Sequence, residues 1–313
     1  EERARAGPAR ARRISLLFGT LMQVSGTSQL KARPLWLRDL KRDAIGYGFA
    51  GPAVALLVVF SIVAIVVSLW ISFHEWTFLQ DERPWVGLDN YGKALDDPVF
   101  RKAFRNTARY AVFVVPAITG FGLLLAVIGN EARQGRAVFR TIFFIPTLTP
   151  LVVLSFLWIW LLEPTGSFNI LLEKLGLPTP NWLMNTTMAP IAIIIMSIWA
   201  LVGYYMVIFM AGLADIPQIY YDASKVDGAS PFQRFWHITL PLLRNTLIFV
   251  LVILAIGAFQ VFDQVYVMTR GGPDNSTEVM QALIYKQGFE FFHMGYASAM
   301  AWYLFAAIAF FTA

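Results

Sequence analysis

Long apolar runs alternate with shorter polar segments along most of the chain. Six of these runs are long enough to cross a membrane, because a transmembrane helix needs about 20 predominantly apolar residues. They cover roughly residues 45–73, 106–129, 141–162, 188–213, 242–268 and 295–313. The pattern predicts an all-α protein, a polytopic transmembrane helical bundle of about six spans.

The composition supports this interpretation. Of the 313 residues, 57% are hydrophobic and 14% are charged, whereas a soluble domain carries about 25% charged residues. The absence of cysteine excludes disulfides and thiol chemistry. The three histidines are isolated in the sequence, so we expect no metal site. Ten of the 25 Lys and Arg precede residue 43 and the others lie mostly between apolar runs, which indicates a lipid bilayer and no nucleic acid as partner.

Positive charge also predicts the orientation. With the N-terminus in the cytoplasm, 16 Lys and Arg fall in inner segments and 9 in outer segments, which agrees with the positive-inside rule. We expect residues 1–43 to be a basic cytoplasmic N-terminal arm and residues 44–313 to be the transmembrane domain. The arm is either a helix on the anionic inner leaflet or a disordered tail that sets the topology.

The polar segment 214–241, which we call the elbow, lies between the fourth and fifth runs. Asp215 and Pro217 are suited to start a helix, and Gly228 is suited to the left-handed residue that ends it. Ser230 to Gln233 is a capping-box pattern with Pro at the first helical position. The sequence therefore predicts two short, rigid, amphipathic helices on the membrane face, with one apolar stripe on the first helix: Ile216, Ile219, Tyr220, Ala223 and Val226.

This segment resembles the EAA loop of binding-protein-dependent ABC importers, whose pattern is Glu-Ala-Ala, three residues, Gly, nine residues and Ile-x-Leu-Pro. The matching positions are Asp222-Ala223-Ser224, Gly228 and Ile238 to Pro241, with Asp in place of Glu and Ser in place of the second Ala. The resemblance implies the type I ABC importer permease fold. It also implies docking of an ATPase subunit through Asp222, Ala223, Ser224, Lys225, Asp227, Gly228, Ile238 and Pro241. The alternative is an amphipathic re-entry helix without a partner.

Two outer segments resemble the carbohydrate-uptake (maltose-type) permeases of the same family. One is the Val-Gly-Leu-x-Asn-Tyr stretch at 86–91, and the other is the turn formed by Gly271, Gly272 and Pro273. In such permeases a loop near this turn contacts the solute-binding protein. Residues 87–94 nearly fit a phosphate-binding loop, but Ala94 lacks the hydroxyl that would hold magnesium.

The resemblance covers roughly residues 45–313 and implies a non-catalytic subunit in a larger assembly. The implied partners are a second homologous permease, two ATP-binding cassette subunits and an extracytoplasmic solute-binding protein, in a bacterial or archaeal cytoplasmic membrane. This chain would hold no cofactor of its own, because ATP and magnesium would bind to the partner ATPase.

Polar side chains inside the apolar runs are candidates for the solute pathway, since they are costly in a membrane. Aromatic faces and amide or carboxylate groups are suited to a sugar. The candidates are Tyr204, Tyr205, Gln260, Asp263 and Gln264. The alternative is that the fifth-run groups bond helix to helix and the tyrosines pack in the interface belt. Asp263 could equally pair with Arg270.

Three other functions remain open on the sequence. Glycerol-3-phosphate or another polyol-like solute would fit the same set of polar groups, although a phosphate favours Arg or Lys in the pathway. An ion-coupled secondary transporter would require an inverted repeat and ionisable groups near the midplane. A membrane anchor or sensor would leave the spacing within the elbow unexplained.

Overall fold

The computed structural model describes residues 35–77, 82–131 and 135–312. Most of the predicted basic arm, residues 1–34, lies outside the described residues. The chain divides into two compact units, residues 1–65 and 66–313. The described part of the first unit is helical: α1 spans Leu35–Leu57, and a π-helical stretch follows over Val58–Val63. Helix α2 spans Ala64–Ser72 and begins at the last two residues of the first unit.

The second unit is built from helices and short connections, with two isolated β-bridges among its described residues. Its elements, in chain order, are α3 Asp89–Asp96, α4 Pro98–Glu131, α5 Arg136–Phe144, a 3₁₀ turn Ile145–Leu148, α6 Leu151–Leu162, α7 Ser167–Lys174, α8 Met188–Ala214, α9 Gln218–Val226, α10 Pro231–Arg234, a π-helical stretch Phe235–Thr239, α11 Leu240–Leu242, α12 Arg244–Phe259, α13 Asp263–Met268, α14 Met280–Tyr285, a π-helical stretch Lys286–Glu290 and α15 Met294–Thr312.

The described residues contain six helical segments that are long and apolar enough to cross a membrane, as the sequence predicts. They are Gly46–Ser72, Pro98–Asn130, Leu151–Lys174, Met188–Ala214, Arg244–Met268 and Met294–Thr312. The all-α, six-span prediction is therefore confirmed.

The core of the second unit lies between α4 and α8, which make the most extensive helix–helix contact. Ile118 of α4 and Met196, Met206 and Phe209 of α8 are fully buried there. Helix α12 packs against α4 and α8, and α13 packs against α6. Helices α4 and α8 therefore form the central pair of the second unit.

Two spans differ from the predicted runs because the backbone breaks. The third run, predicted as 141–162, is divided by Thr149 and Pro150 into α5 with its 3₁₀ turn and a new helix α6. Proline lacks an N–H and disfavours helical backbone in the residue before it, which accounts for the division. The fifth span is interrupted after Phe259 and resumes at Asp263.

Candidate functional site

The first arm of the elbow is a short helix that glycine ends. Helix α9 begins after Pro217, and Gly228 closes it with φ of +73°. The Gly228 N–H donates to the Lys225 carbonyl at 3.1 Å, and the Ala229 N–H donates to the Ser224 carbonyl at 2.9 Å. The predicted left-handed position of Gly228 is confirmed, and a residue with a β-carbon would be strained there.

The second arm begins with the predicted capping box. The Ser230 N–H donates to Gln233 Oε1 at 2.8 Å, and the Gln233 N–H donates to Ser230 Oγ at 3.3 Å. Pro231 occupies the first helical position, so this prediction is also confirmed. The helix then widens into the π-helical stretch Phe235–Thr239, which the sequence pattern does not predict.

The two arms contact each other through a buried face and leave an apolar face exposed. Tyr221 Oη lies 3.0 Å from Thr239 Oγ1, and Ser224 is buried beneath this contact. On the other face, Ile219, Val226 and Phe232 expose 71%, 88% and 71% of their surface. We call this exposed set the elbow surface: Ile219, Tyr220, Val226, Phe232 and Trp236.

The residues predicted to dock an ATPase subunit lie around this surface. Ser224 is buried, Ile238 is half-buried, and the others are exposed: Asp222, Ala223, Lys225, Asp227, Gly228 and Pro241. Lys225 Nζ lies 3.0 Å from Asp222 Oδ1. Hydrogen bonds from Lys225 and Gln218 lower the pKa of the Asp222 carboxyl, so it is ionised at neutral pH.

A cavity of about 530 Å³ lies between α4, α8 and the broken fifth span. Four of the five predicted pathway residues line it: Tyr205, Gln260, Asp263 and Gln264. Tyr204 does not line it; its ring meets that of Tyr205 edge-on, with centroids 5.1 Å apart. The cavity wall includes the non-helical residues 260–262, which fits the rule that irregular backbone in a membrane borders a cavity or other protein.

Gln264 also joins three helices. Its Nε2 donates to Tyr110 Oη at 3.0 Å and to Ser197 Oγ at 3.2 Å, and the side chain is buried. The carboxamide therefore ties α13 to α4 and α8, as the helix-bonding alternative predicts, while it borders the cavity. Interhelical bonds of this kind fix the packing of membrane helices.

Sequence reasoning missed two polar residues of the cavity wall, Tyr110 and Gln281. Tyr110 carries a signal that could have found it. It lies four residues after Asn106 and three after Thr107, which places the three polar side chains on one face of a helix. Gln281 carries no such signal, since α14 lies in a segment that reads as a connection between spans.

The segment Thr269–Val279, which we call the Gly-Gly-Pro loop, follows the fifth span. Within it Gly271 is buried, Gly272 and Pro273 are half-buried, and Asp274 is exposed. Lys102 of α4 pairs with Asp274 Oδ2 at 3.0 Å and also donates to the Asp274 carbonyl. Of the predicted contact residues, Gly272 and Pro273 are therefore the more accessible to a partner.

Comparison with known proteins places this architecture. Residues 118–313, more than half of the chain, match the family model for the binding-protein-dependent transport system inner membrane component. Relatives of similar length are the trehalose/maltose transport system permease protein MalF of Thermococcus litoralis, 35% identical over 86% of this chain and 88% of the relative, and the lactose transport system permease protein LacF of Rhizobium radiobacter, 32% identical over 87% and 93%. The probable ABC transporter permease protein YurN of Bacillus subtilis is 35% identical over 82% and 89%.

Solved structures share the fold. A chain of a bacterial ABC transporter involved in the import of the acidic polysaccharide alginate aligns with a TM-score of 0.79 at 24% identity, covering 89% of this chain and 95% of that chain. The same type of transporter, in complex with a periplasmic protein bound to an alginate pentasaccharide, aligns with a TM-score of 0.78 at 22% identity. The chain belongs to the family of binding-protein-dependent transport system inner membrane components, and it is a multi-pass permease subunit with the ABC importer fold.

Proposed function

We propose that the chain is the permease subunit of an ATP-driven importer and forms half of the translocation pathway for an oligosaccharide or sugar-like solute. The elbow surface carries this proposal. Large apolar side chains that are exposed together on a polar face mark a binding surface for another protein. The occupant we propose is an ATP-binding cassette subunit, with ATP and magnesium bound to that subunit and none to this chain.

The position of the elbow suggests how ATP would act on the pathway. The elbow joins α8 to α12, and both Tyr205 of α8 and Gln260, which directly follows α12, line the cavity. Closure of two ATPase subunits would move the elbow and tilt both helices. The pathway would then open outward, and hydrolysis would reset it, as in alternating access. The two caps keep the elbow rigid enough to transmit this motion.

The full assembly we propose contains a second homologous permease, two ATP-binding cassette subunits and an extracytoplasmic solute-binding protein. The N-terminus would lie in the cytoplasm, so the elbow would face the ATPase and the Gly-Gly-Pro loop would face outward. A solved relative with a bound periplasmic protein supports an outer partner of this type.

The cavity favours a neutral carbohydrate over a phosphorylated solute. Among the described residues that line it, there is no Lys or Arg, whereas tyrosine, carboxamide and carboxylate groups are present. Aromatic faces pack against the apolar faces of a sugar ring, and amides and carboxylates bond to its hydroxyls. The names of the relatives, which include trehalose/maltose and lactose, point in the same direction.

The test is uptake by the assembly reconstituted into vesicles, with ATP inside and labelled maltose, trehalose, lactose or glycerol-3-phosphate outside. We expect ATP-dependent uptake of a neutral sugar. We expect Tyr205→Ala and Gln260→Ala to reduce it about tenfold, the effect of losing an aromatic face or a hydrogen-bond partner of the solute.

Tyr204→Ala is the matched control, because Tyr204 is the sequence neighbour of Tyr205 and does not line the cavity. It should change uptake less than about twofold, the ordinary effect of a substitution away from the site. Uptake of glycerol-3-phosphate alone would support the polyol alternative, and uptake without ATP would contradict the proposal.

A further inference from the structure

The Gly-Gly-Pro loop adopts a backbone that requires external support. Arg270, Gly271, Asp274 and Asn275 have φ of 49°, 86°, 48° and 52°. Side chains with a β-carbon rarely adopt this region, and such residues persist only where the surrounding contacts determine their conformation. The contacts that hold this loop therefore determine its conformation.

Helix α4 supplies one set of contacts from far away in the sequence. Asn106 Nδ2 donates to the carbonyls of Asn275 and Glu278, each at 3.0 Å. Thr107 Oγ1 accepts from the Met280 N–H at 2.9 Å. These bonds fix the second half of the loop. In the first half, the Gly271 carbonyl accepts from the Thr277 N–H at 3.2 Å, and the Arg270 carbonyl is held by a further contact.

That contact comes from an ion pair between the buried carboxylate of Glu278 and the half-buried ammonium group of Lys286. Lys286 Nζ lies 2.5 Å from Glu278 Oε2 and donates to the Arg270 carbonyl at 2.8 Å. One ammonium group therefore joins Arg270, just before the two glycines, to Glu278 near the end of the loop. A β-carbon on residue 271 would overlap Glu278 Oε2, so the carboxylate occupies space that only glycine leaves free.

The surroundings of the Glu278–Lys286 pair indicate that it orients the loop more than it stabilises the folded protein. Glu278 is 1% exposed, and its other oxygen, Oε1, has no hydrogen-bond partner among the described residues. Burial raises the pKa of the Glu278 carboxyl even with Lys286 beside it. The cost of desolvating a buried pair can exceed its Coulombic gain, and such pairs are then expected to select one geometry.

We propose that the Glu278–Lys286 ion pair is a positioning device that holds the Gly-Gly-Pro loop in one conformation for docking of the solute-binding protein. The pair contacts Arg270 and Gly271. It thereby fixes the orientation of the more accessible residues Pro273 and Asp274, which form the tip of the loop. This inference rests on the proposed function, because it takes the solute-binding protein as the partner of the loop.

The test compares Lys286→Met with Lys102→Met in the assembled transporter. Both substitutions remove an ammonium group that pairs with this loop, but the Lys102–Asp274 pair is exposed and exposed pairs contribute little. For Lys286→Met we expect hydrogen exchange at the amides of residues 271, 272 and 274–278 to be faster by about tenfold. We expect the concentration of solute-binding protein that half-maximally stimulates ATPase to rise by a similar factor, about tenfold, with the maximal rate retained.

Lys286→Arg keeps the charge and should restore both measurements to within about threefold of the native chain. Wild-type behaviour of Lys286→Met in both measurements would overturn the positioning role, and so would equal effects from Lys102→Met. If Lys286→Met fails to assemble, Glu278→Gln takes its place with the same expected results. A native assembly whose ATPase ignores the solute-binding protein would contradict the proposed function, whereas the exchange measurement would still decide on the ion pair.

Discussion

The elbow and the Gly-Gly-Pro loop are both polar segments at the ends of the fifth span, and different contacts hold them in shape. The elbow is fixed by neighbours in the sequence, through the glycine turn at Gly228 and the capping box at Ser230. The loop is fixed by groups that are distant in the sequence, such as Asn106 and Thr107 of α4. One shape is therefore local in origin and the other depends on the tertiary fold.

The two regions also differ in what they expose. The elbow presents apolar side chains such as Val226 and Phe232 on its surface, whereas the loop buries Thr277 and Glu278 beneath its tip. An apolar surface of this type is completed by another chain. The loop is held by contacts within its own chain, so its conformation is set before any partner binds. The difference fits the proposed roles, in which the elbow moves with a tightly bound ATPase subunit and the loop receives a transient solute-binding protein.

The largest expected effect comes from breaking the turn of the elbow. Gly228→Val places a β-branched side chain at φ of +73°, where it is strained although the space around it is open. We expect the two arms to separate and co-purification of the ATPase subunit to fall at least about tenfold, because the elbow surface no longer has one geometry.

Gly176→Val is the matched control for this variant. Gly176 also has positive φ, +69°, also has open space, and lies beyond α7 in the connection between the third and fourth spans. We expect it to weaken stability by a similar amount and to leave association with the ATPase intact. Equal loss of association in both variants would show that general instability, and not the elbow, explains the result.

A second prediction concerns the loop and pH. Burial raises the pKa of Glu278 above its ordinary value of 4.5, with Lys286 opposing and Glu290 adding to the shift. The pair with Lys286 is therefore lost on acidification at pH values where an ordinary glutamate is still ionised. We expect the half-stimulating concentration of solute-binding protein to rise several-fold as the pH falls from neutral towards the ordinary glutamate value of 4.5.

Acidification is expected to weaken docking, but its effect on folding stability through Glu278 is in the opposite direction. A carboxyl whose pKa is raised in the folded state contributes stability that is present below its unfolded pKa and is lost as the pH rises through its folded pKa. Acidification should therefore weaken docking without lowering the thermal unfolding temperature through this group. Glu278→Gln cannot titrate, so its docking should lose this pH dependence; an unchanged pH profile would contradict the prediction.

The smallest expected effect comes from the capping box. Ser230→Ala removes one cap and should lower the free energy of unfolding by about 1 kcal/mol, with a less than tenfold effect on ATPase coupling. Ser276→Ala in the loop is the control, because Ser276 Oγ is buried without a hydrogen-bond partner among the described residues. It should cost nothing measurable in chemical denaturation, and a cost equal to that of Ser230→Ala would contradict the local origin of the elbow's shape.

This contrast also explains what could be predicted from the sequence. The left-handed Gly228 and the Ser230–Gln233 box follow from rules that span four residues, so the turn and the second cap of the elbow could be predicted. The six spans follow from apolar length alone. The π-helical stretch after Arg234 carries no comparable sequence signal.

The cavity and the loop could be predicted only in part. Tyr205 and Gln260 stand out as polar groups in apolar runs, but the break at residues 260–262 and the contribution of Gln281 depend on how separate helices meet. Asn106 and Glu278 are 172 residues apart in the sequence and are joined by a hydrogen bond. Contacts over such distances become visible only when the helices are placed together.

The most direct test of the docking role is crosslinking from single cysteines, for which the native chain offers a background without cysteine. Val226→Cys places a thiol at the most exposed residue of the elbow surface, and Leu175→Cys places one at an exposed site beyond α7. With a short bifunctional reagent, we predict a covalent product between Val226→Cys and the ATP-binding cassette subunit, and none from Leu175→Cys. Crosslinking of the cassette subunit by both variants, or by neither, would contradict the account.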